Sequence, residues 1–147
     1  MTRILSRPLA AALLVAIVAA CSASPASAPA ASAGASAPAA SGNRPSSPAV
    51  VTIVKPTSGE SVTGTTVHVA LTLTGAQIVS ATTTNITPDQ GHVHLYVDNV
   101  LVSMNYGLEQ DLPVHPGTYV LKAEFVAADH APFNPRVWSP EVFFTVK

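Results

Sequence analysis

Two stretches of the chain alternate apolar and polar residues with a period of two. From Thr66 to Thr74, Val67, Val69, Leu71 and Leu73 fall on one side, and Thr66, His68, Thr72 and Thr74 on the other. From Tyr119 to Phe125, Tyr119, Leu121, Ala123 and Phe125 oppose Lys122 and Glu124. That alternation predicts strands with one buried face, because successive side chains on a strand point to opposite sides. No segment after residue 49 sustains a helical period. Turn residues fall where strands should end: Pro56-Thr57-Ser58-Gly59, Asp98-Asn99 and Pro116-Gly117. Strands are expected near 50–54, 66–74, 78–84, 92–97, 100–104, 108–112, 119–127 and 141–146, with Pro132, Pro135 and Pro140 in a last loop. About seven short strands in this length predict an all-β, immunoglobulin-like sandwich over residues 49–147. Tyr119, just past the corner Val114-His115-Pro116-Gly117, is placed to hydrogen-bond back across it as a tyrosine corner.

The N-terminal third follows different rules. Arg3 and Arg7 precede an uncharged apolar run from Leu9 to Ala20. The run is about a dozen residues, short of the roughly 20 a spanning helix needs, so residues 1–20 read as a signal segment. It ends in Val18-Ala19-Ala20-Cys21, which resembles the bacterial lipobox: a branched residue, two small residues, then a cysteine whose thiol accepts the lipid. Cys21 is the only cysteine, so no internal disulfide can form, and lipidation would account for an odd cysteine in an exported chain. Residues 22–48 are almost entirely Ala, Ser, Pro and Gly, and Pro25, Pro29, Pro38, Pro45 and Pro48 interrupt any helix. With no apolar face to bury, residues 21–48 are expected to be a disordered stalk behind the lipidated cysteine, spanning roughly 30 Å as a coil. The expected location is the cell membrane, lipid-anchored and facing the extracellular or periplasmic side. Net charge is −1 and charged residues make up 10%, which argues against nucleic acid and against a polybasic membrane patch. The acyl chains must then hold the membrane, and a cell-envelope protein is the partner class left open.

Three stretches resemble small secreted bacterial immunoglobulin-like domains of uncharacterised function. They are Ile53-Val54-Lys55-Pro56-Thr57-Ser58-Gly59 with Val62-Thr63-Gly64, then Gly91-His92-Val93-His94-Leu95-Tyr96-Val97-Asp98, then Pro116-Gly117-Thr118-Tyr119-Val120-Leu121 with Ala128-Asp129-His130. The second is similar to the Gly-His-x-His-Leu strand of that family. Relatives often carry His where this chain has Tyr119, so no family role for a histidine carries over there. The resemblance implies a fold and an exported setting, but no activity.

All five histidines lie in the expected domain: His68, His92, His94, His115 and His130. His92 and His94, two apart on a strand, share a face. In an immunoglobulin-like sandwich the start of strand C lies beside the end of strand F. That brings His92 and His94 toward His130, with Asp129 next to it, while His115 belongs to the far end. Val93, Leu95 and Val97 would face the core, leaving His92 and His94 outward or at the rim. Three imidazoles and a carboxylate would suit copper or zinc. The alternative is structural, with His92 bonding Asp129 to hold the loop after strand F. No cofactor is demanded by the sequence. No nucleophile–base constellation or phosphate loop occurs, so the expected function is a non-enzymatic interaction module, with a metal-binding lipoprotein as the alternative.

Overall fold

The computed structural model describes residues 43–147. The expected signal segment, Cys21 and most of the expected stalk lie outside the described residues. Ten strands follow one another: β1 Val50–Lys55, β2 Glu60–Val62, β3 Thr66–Thr74, β4 Gln77–Ile78, β5 Gln90–Val97, β6 Val100–Asn105, β7 Glu109–Pro113, β8 Gly117–Ala127, β9 Pro132–Trp138 and β10 Val142–Val146. One sheet has the order β1-β3-β7. The other runs β2-β10-β8-β5-β4, with β6 on the same side of β5 as the short β4 and β9 beside β8. The principal strands are thus three facing four, the arrangement of an immunoglobulin-like sandwich.

The period-two segments form the core because their apolar sides face each other. Val67, Val69 and Leu71 of β3 meet Val93 and Leu95 of β5, Leu121, Ala123 and Phe125 of β8, and Phe144 of β10. Asp98 and Asn99, both with positive φ, make the two-residue turn that joins β5 to β6. The Tyr119 hydroxyl donates to the His115 carbonyl at 2.9 Å and closes the corner before β8.

The structure departs from the sequence pattern in four places. The short strand β2, paired parallel to β10, is one the alternation does not predict. Residues 78–84 are not a strand. Only Gln77–Ile78 pair with β5, and a loop carries the chain on to Gln90. The proline-rich stretch expected as a loop forms β9, which lies at an edge beside β8, where a missing proline N–H breaks no ladder. Finally, the folded unit begins before Ala49. Arg44 donates from two nitrogens to both Asp129 oxygens at 2.7 Å, and to the carbonyls of Pro132 and Ala131 at 3.0 Å. Asn134 N–H donates to the Pro45 carbonyl at 3.0 Å. Residues 44 and 45, assigned to the stalk by composition, are therefore docked on the turn between β8 and β9.

Candidate functional site

β5 and β8 run antiparallel, with His92 opposite Val126 and His94 opposite Glu124. The core takes Val93 and Leu95, so His92, His94 and Tyr96 occupy the other face of the sheet. That face is covered rather than open: His92 and His94 are 0% and 1% exposed. The β8–β9 turn, Tyr106 and the loop through Thr82 close over it. Thr83 N–H donates to the Ala128 carbonyl, and Tyr106 stands edge-on to His92 at 4.7 Å. His130 enters from the turn with φ 62°, a left-handed conformation that aims its ring back over the sheet.

Three imidazoles meet there. The His130 ring stacks on His92 with centroids 4.3 Å apart. Against His94 the relation differs. Nε2 of His94 and Nδ1 of His130 are 3.1 Å apart, in rings tilted by only 18° with centroids 5.4 Å apart. The centroid separation exceeds the nitrogen gap by two ring radii. The two nitrogens therefore lie on the line between the rings, one donating its hydrogen to the lone pair of the other. This is an edge-to-edge imidazole pair, not a stack. The outer nitrogen of His130 faces Thr82 Oγ1 at 3.2 Å and Tyr106 hydroxyl at 3.5 Å.

The other expected site residues have different partners. His92 Nε2 lies 3.2 Å from the Ala128 carbonyl, which can only accept, so Nε2 carries the hydrogen and Nδ1 is a buried lone pair with no partner. Asp129 bonds neither His92 nor His94, because Arg44 takes both its oxygens. His115 lies at the tyrosine corner, and exposed His68 pairs with Asp111 at 2.8 Å. Among the described residues, no group of three or more His, Cys, Asp or Glu side chains is arranged to hold a metal ion.

Beside the histidines on the same face lies a second buried polar group. Glu124, 1% exposed, accepts two bonds from Arg136 of β9 and one from the Tyr96 hydroxyl at 3.0 Å. Trp138 packs under both Arg136 and Lys122, 4.5 and 4.7 Å from its ring centre. Arg44 was findable from sequence as the one charge between Arg7 and Lys55. Arg136 and Trp138 were hidden inside a proline-rich stretch.

Burial, helped by the charges of His130, His92 and Arg136, pushes His94 down to about 4 from 6.5. Burial chiefly lowers His130 as well. A neutral folded ring and a basic unfolded one fix the sign: the unfolded chain takes up the proton first. The metal-free protein should therefore hold full stability above about pH 6.5 and lose it progressively toward pH 4. The whole His94 shift is worth about 3 kcal/mol, reduced to about 2 by water reaching the pair past His130. Asp129, held below its usual range by its bond from Arg44, adds a further loss at lower pH still. Urea titrations at pH 7.5 and 4.5 with chelator present check this. Equal midpoints would show that the histidines titrate as freely folded as unfolded.

The fold is that of a fibronectin(III)-like, immunoglobulin-like module. It is similar to the fibronectin(III)-like modules of Clostridium thermocellum CbhA, with a TM-score of 0.50 and 25% identity over 67% of this chain and 46% of that one. This chain thus spans under half the length of that neighbour. An engineered protein solved at 1.98 Å is also similar, with a TM-score of 0.41 and 16% identity over 67% of this chain and 20% of that one. No family model and no curated protein matches the chain.

Proposed function

We propose that this chain is an exported lipoprotein, lipidated on Cys21, that presents a non-enzymatic fibronectin(III)-like module to a protein of the cell envelope. The observation that carries the interaction reading is strand β6. It is paired on one side by β5 alone, and Val100, Val102, Met104 and the following Tyr106 are 44–57% exposed. An apolar edge strand is a template for an extended segment of another chain, with main-chain hydrogen bonds giving affinity and side-chain pockets giving choice. Beside it an open cleft of about 200 Å³ is lined by Val97, Val102, Leu112, Val114 and Tyr119. The lipobox-like Val18-Ala19-Ala20-Cys21 supports the anchoring.

Fractionation tests the reading. The natural chain should sediment with membranes and incorporate labelled palmitate, and Cys21→Ser should do neither. A photo-crosslinker at Val102 should capture a discrete envelope protein from intact cells, and one at Val54, exposed on the other sheet, should not. Membrane retention of Cys21→Ser would overturn the lipid anchor. Equal crosslinking at both positions would overturn the β6 edge.

A further inference from the structure

We propose that His94 and His130 form a binding site for monovalent copper, with Met104 as the third, sulfur ligand. The edge-to-edge imidazole pair carries the inference. Two ring nitrogens face each other across 3.1 Å with only a hydrogen between them. A metal with nitrogen bonds near 2 Å spans roughly 3.3 Å between two ligands at a tetrahedral angle and roughly 4 Å when linear. His130 is the partner that can move. It is partly exposed on a surface turn, and a shift of under about 1 Å opens the pair to either geometry.

Met104 is the independent second observation. It lies directly opposite His94 across the β5–β6 ladder, so both side chains project to the same face with Cβ atoms roughly 5 Å apart. It is 57% exposed and is the only methionine after residue 1. A thioether is a soft ligand and selects monovalent copper over zinc. Harder ions lack donors. Zinc and divalent copper call for four nitrogen, oxygen or thiolate ligands. Asp129 is closed by Arg44, and His92 presents its ring face, not its nitrogen edge, to His130. This narrows the set of His92, His94, His130 and Asp129, and the choice of copper or zinc, to two histidines and one ion.

No redox step or proton release is involved. The ion accepts lone pairs from His94 Nε2, His130 Nδ1 and Met104 Sδ. Each ring stays neutral by carrying its hydrogen on the far nitrogen. For His130 that is Nε2, 3.2 Å from Thr82 Oγ1, which accepts it. For His94 it is Nδ1, which is buried without an acceptor, so copper must offset the cost of an unpaired N–H there. Thr82 and Tyr106, both at the surface, flank the entry.

The test is an anaerobic titration of the full chain carrying Cys21→Ser, which removes the competing thiol. Cuprous ion is supplied against a coloured cuprous chelator. One ion per chain should bind, and zinc should fail to displace it. His130→Asn keeps a residue that tolerates positive φ and should abolish binding. Met104→Leu, at an exposed position where the fold is insensitive, should weaken it by about tenfold or more. His115→Ala should leave it unchanged. Absence of cuprous binding, equal affinity in His130→Asn and its parent, or displacement by zinc would overturn the site.

Discussion

Arg136→Met should lower the unfolding free energy by about 3 kcal/mol, and the melting temperature by roughly 15 °C for a domain of this size. The expectation follows from where Glu124 sits. Its carboxylate is on the central strand β8, 1% exposed, and Arg136 supplies two of its three hydrogen bonds. Removing the guanidinium leaves a buried carboxylate with only the Tyr96 hydroxyl beside it. Breaking one side of such a pair typically costs 3–5 kcal/mol, because the remaining charge loses both its partner and its water. Arg136 is itself 27% exposed on its side chain, so water can reach part of the gap, which sets the lower end of that range. The double variant Glu124→Leu with Arg136→Met removes the charge altogether and should recover at least half of the loss. Tyr96 would still lack an acceptor, so recovery should be incomplete. Chemical denaturation of the three proteins checks this. A double variant as unstable as the single one would show that Arg136 acts through its packing on Trp138 and not through Glu124.

That network also marks the limit of what the residue pattern can tell. Period-two alternation located β3 and β8, and the turn residues located the β5–β6 hairpin, because burial of one sheet face is a local, repeating constraint. The same reasoning put His92, His94 and His130 at one end of neighbouring strands. It placed His92 and His94 at the surface, since polar residues opposite a core face usually meet water. Here the loop through Thr82, the β8–β9 turn and Tyr106 cover that face, and nothing local in the sequence announces a covering loop. Likewise, β9 violates its own composition. Pro132 and Pro135 argue against a strand, and only the edge position beside β8 makes one tolerable. Arg44 shows the converse error. Followed by prolines and serines it reads as part of a stalk, yet a bidentate bond to Asp129 and bonds to the Ala131 and Pro132 carbonyls tie it to the domain. Met104 was legible only as an exposed residue until strand register set it opposite His94.

Gly91→Ala should be at least as damaging, at about 3 kcal/mol or more, although it adds one methyl group to a strand. Gly91 opens the Gly91-His92-Val93-His94 segment and pairs with Ala127 across β5 and β8. A Cβ on Gly91 would fall 1.9 Å from the Val126 carbonyl oxygen, 2.9 Å from its carbon and 3.0 Å from Phe125 Cζ. The first two atoms are backbone and cannot rotate away. Val126 pairs with His92 in an unbroken β5–β8 ladder, so its carbonyl is held in place beside Gly91. Room for the methyl group must come from parting β5 and β8 at the residues that carry the histidines. Overpacking of a core usually costs 1–3 kcal/mol, and more where backbone must yield. Gly107→Ala is the control, since its nearest neighbours would stand 3.8 Å away in ordinary contact; it should change stability by under about 0.5 kcal/mol. Thermal melting of both variants decides the point. If Gly91→Ala melts with the parent, β5 and β8 are not as close at His92 as the register requires. A loss confined to Gly91→Ala would tie the glycine of the Gly-His-x-His segment to strand approach, and the histidines' meeting to that approach.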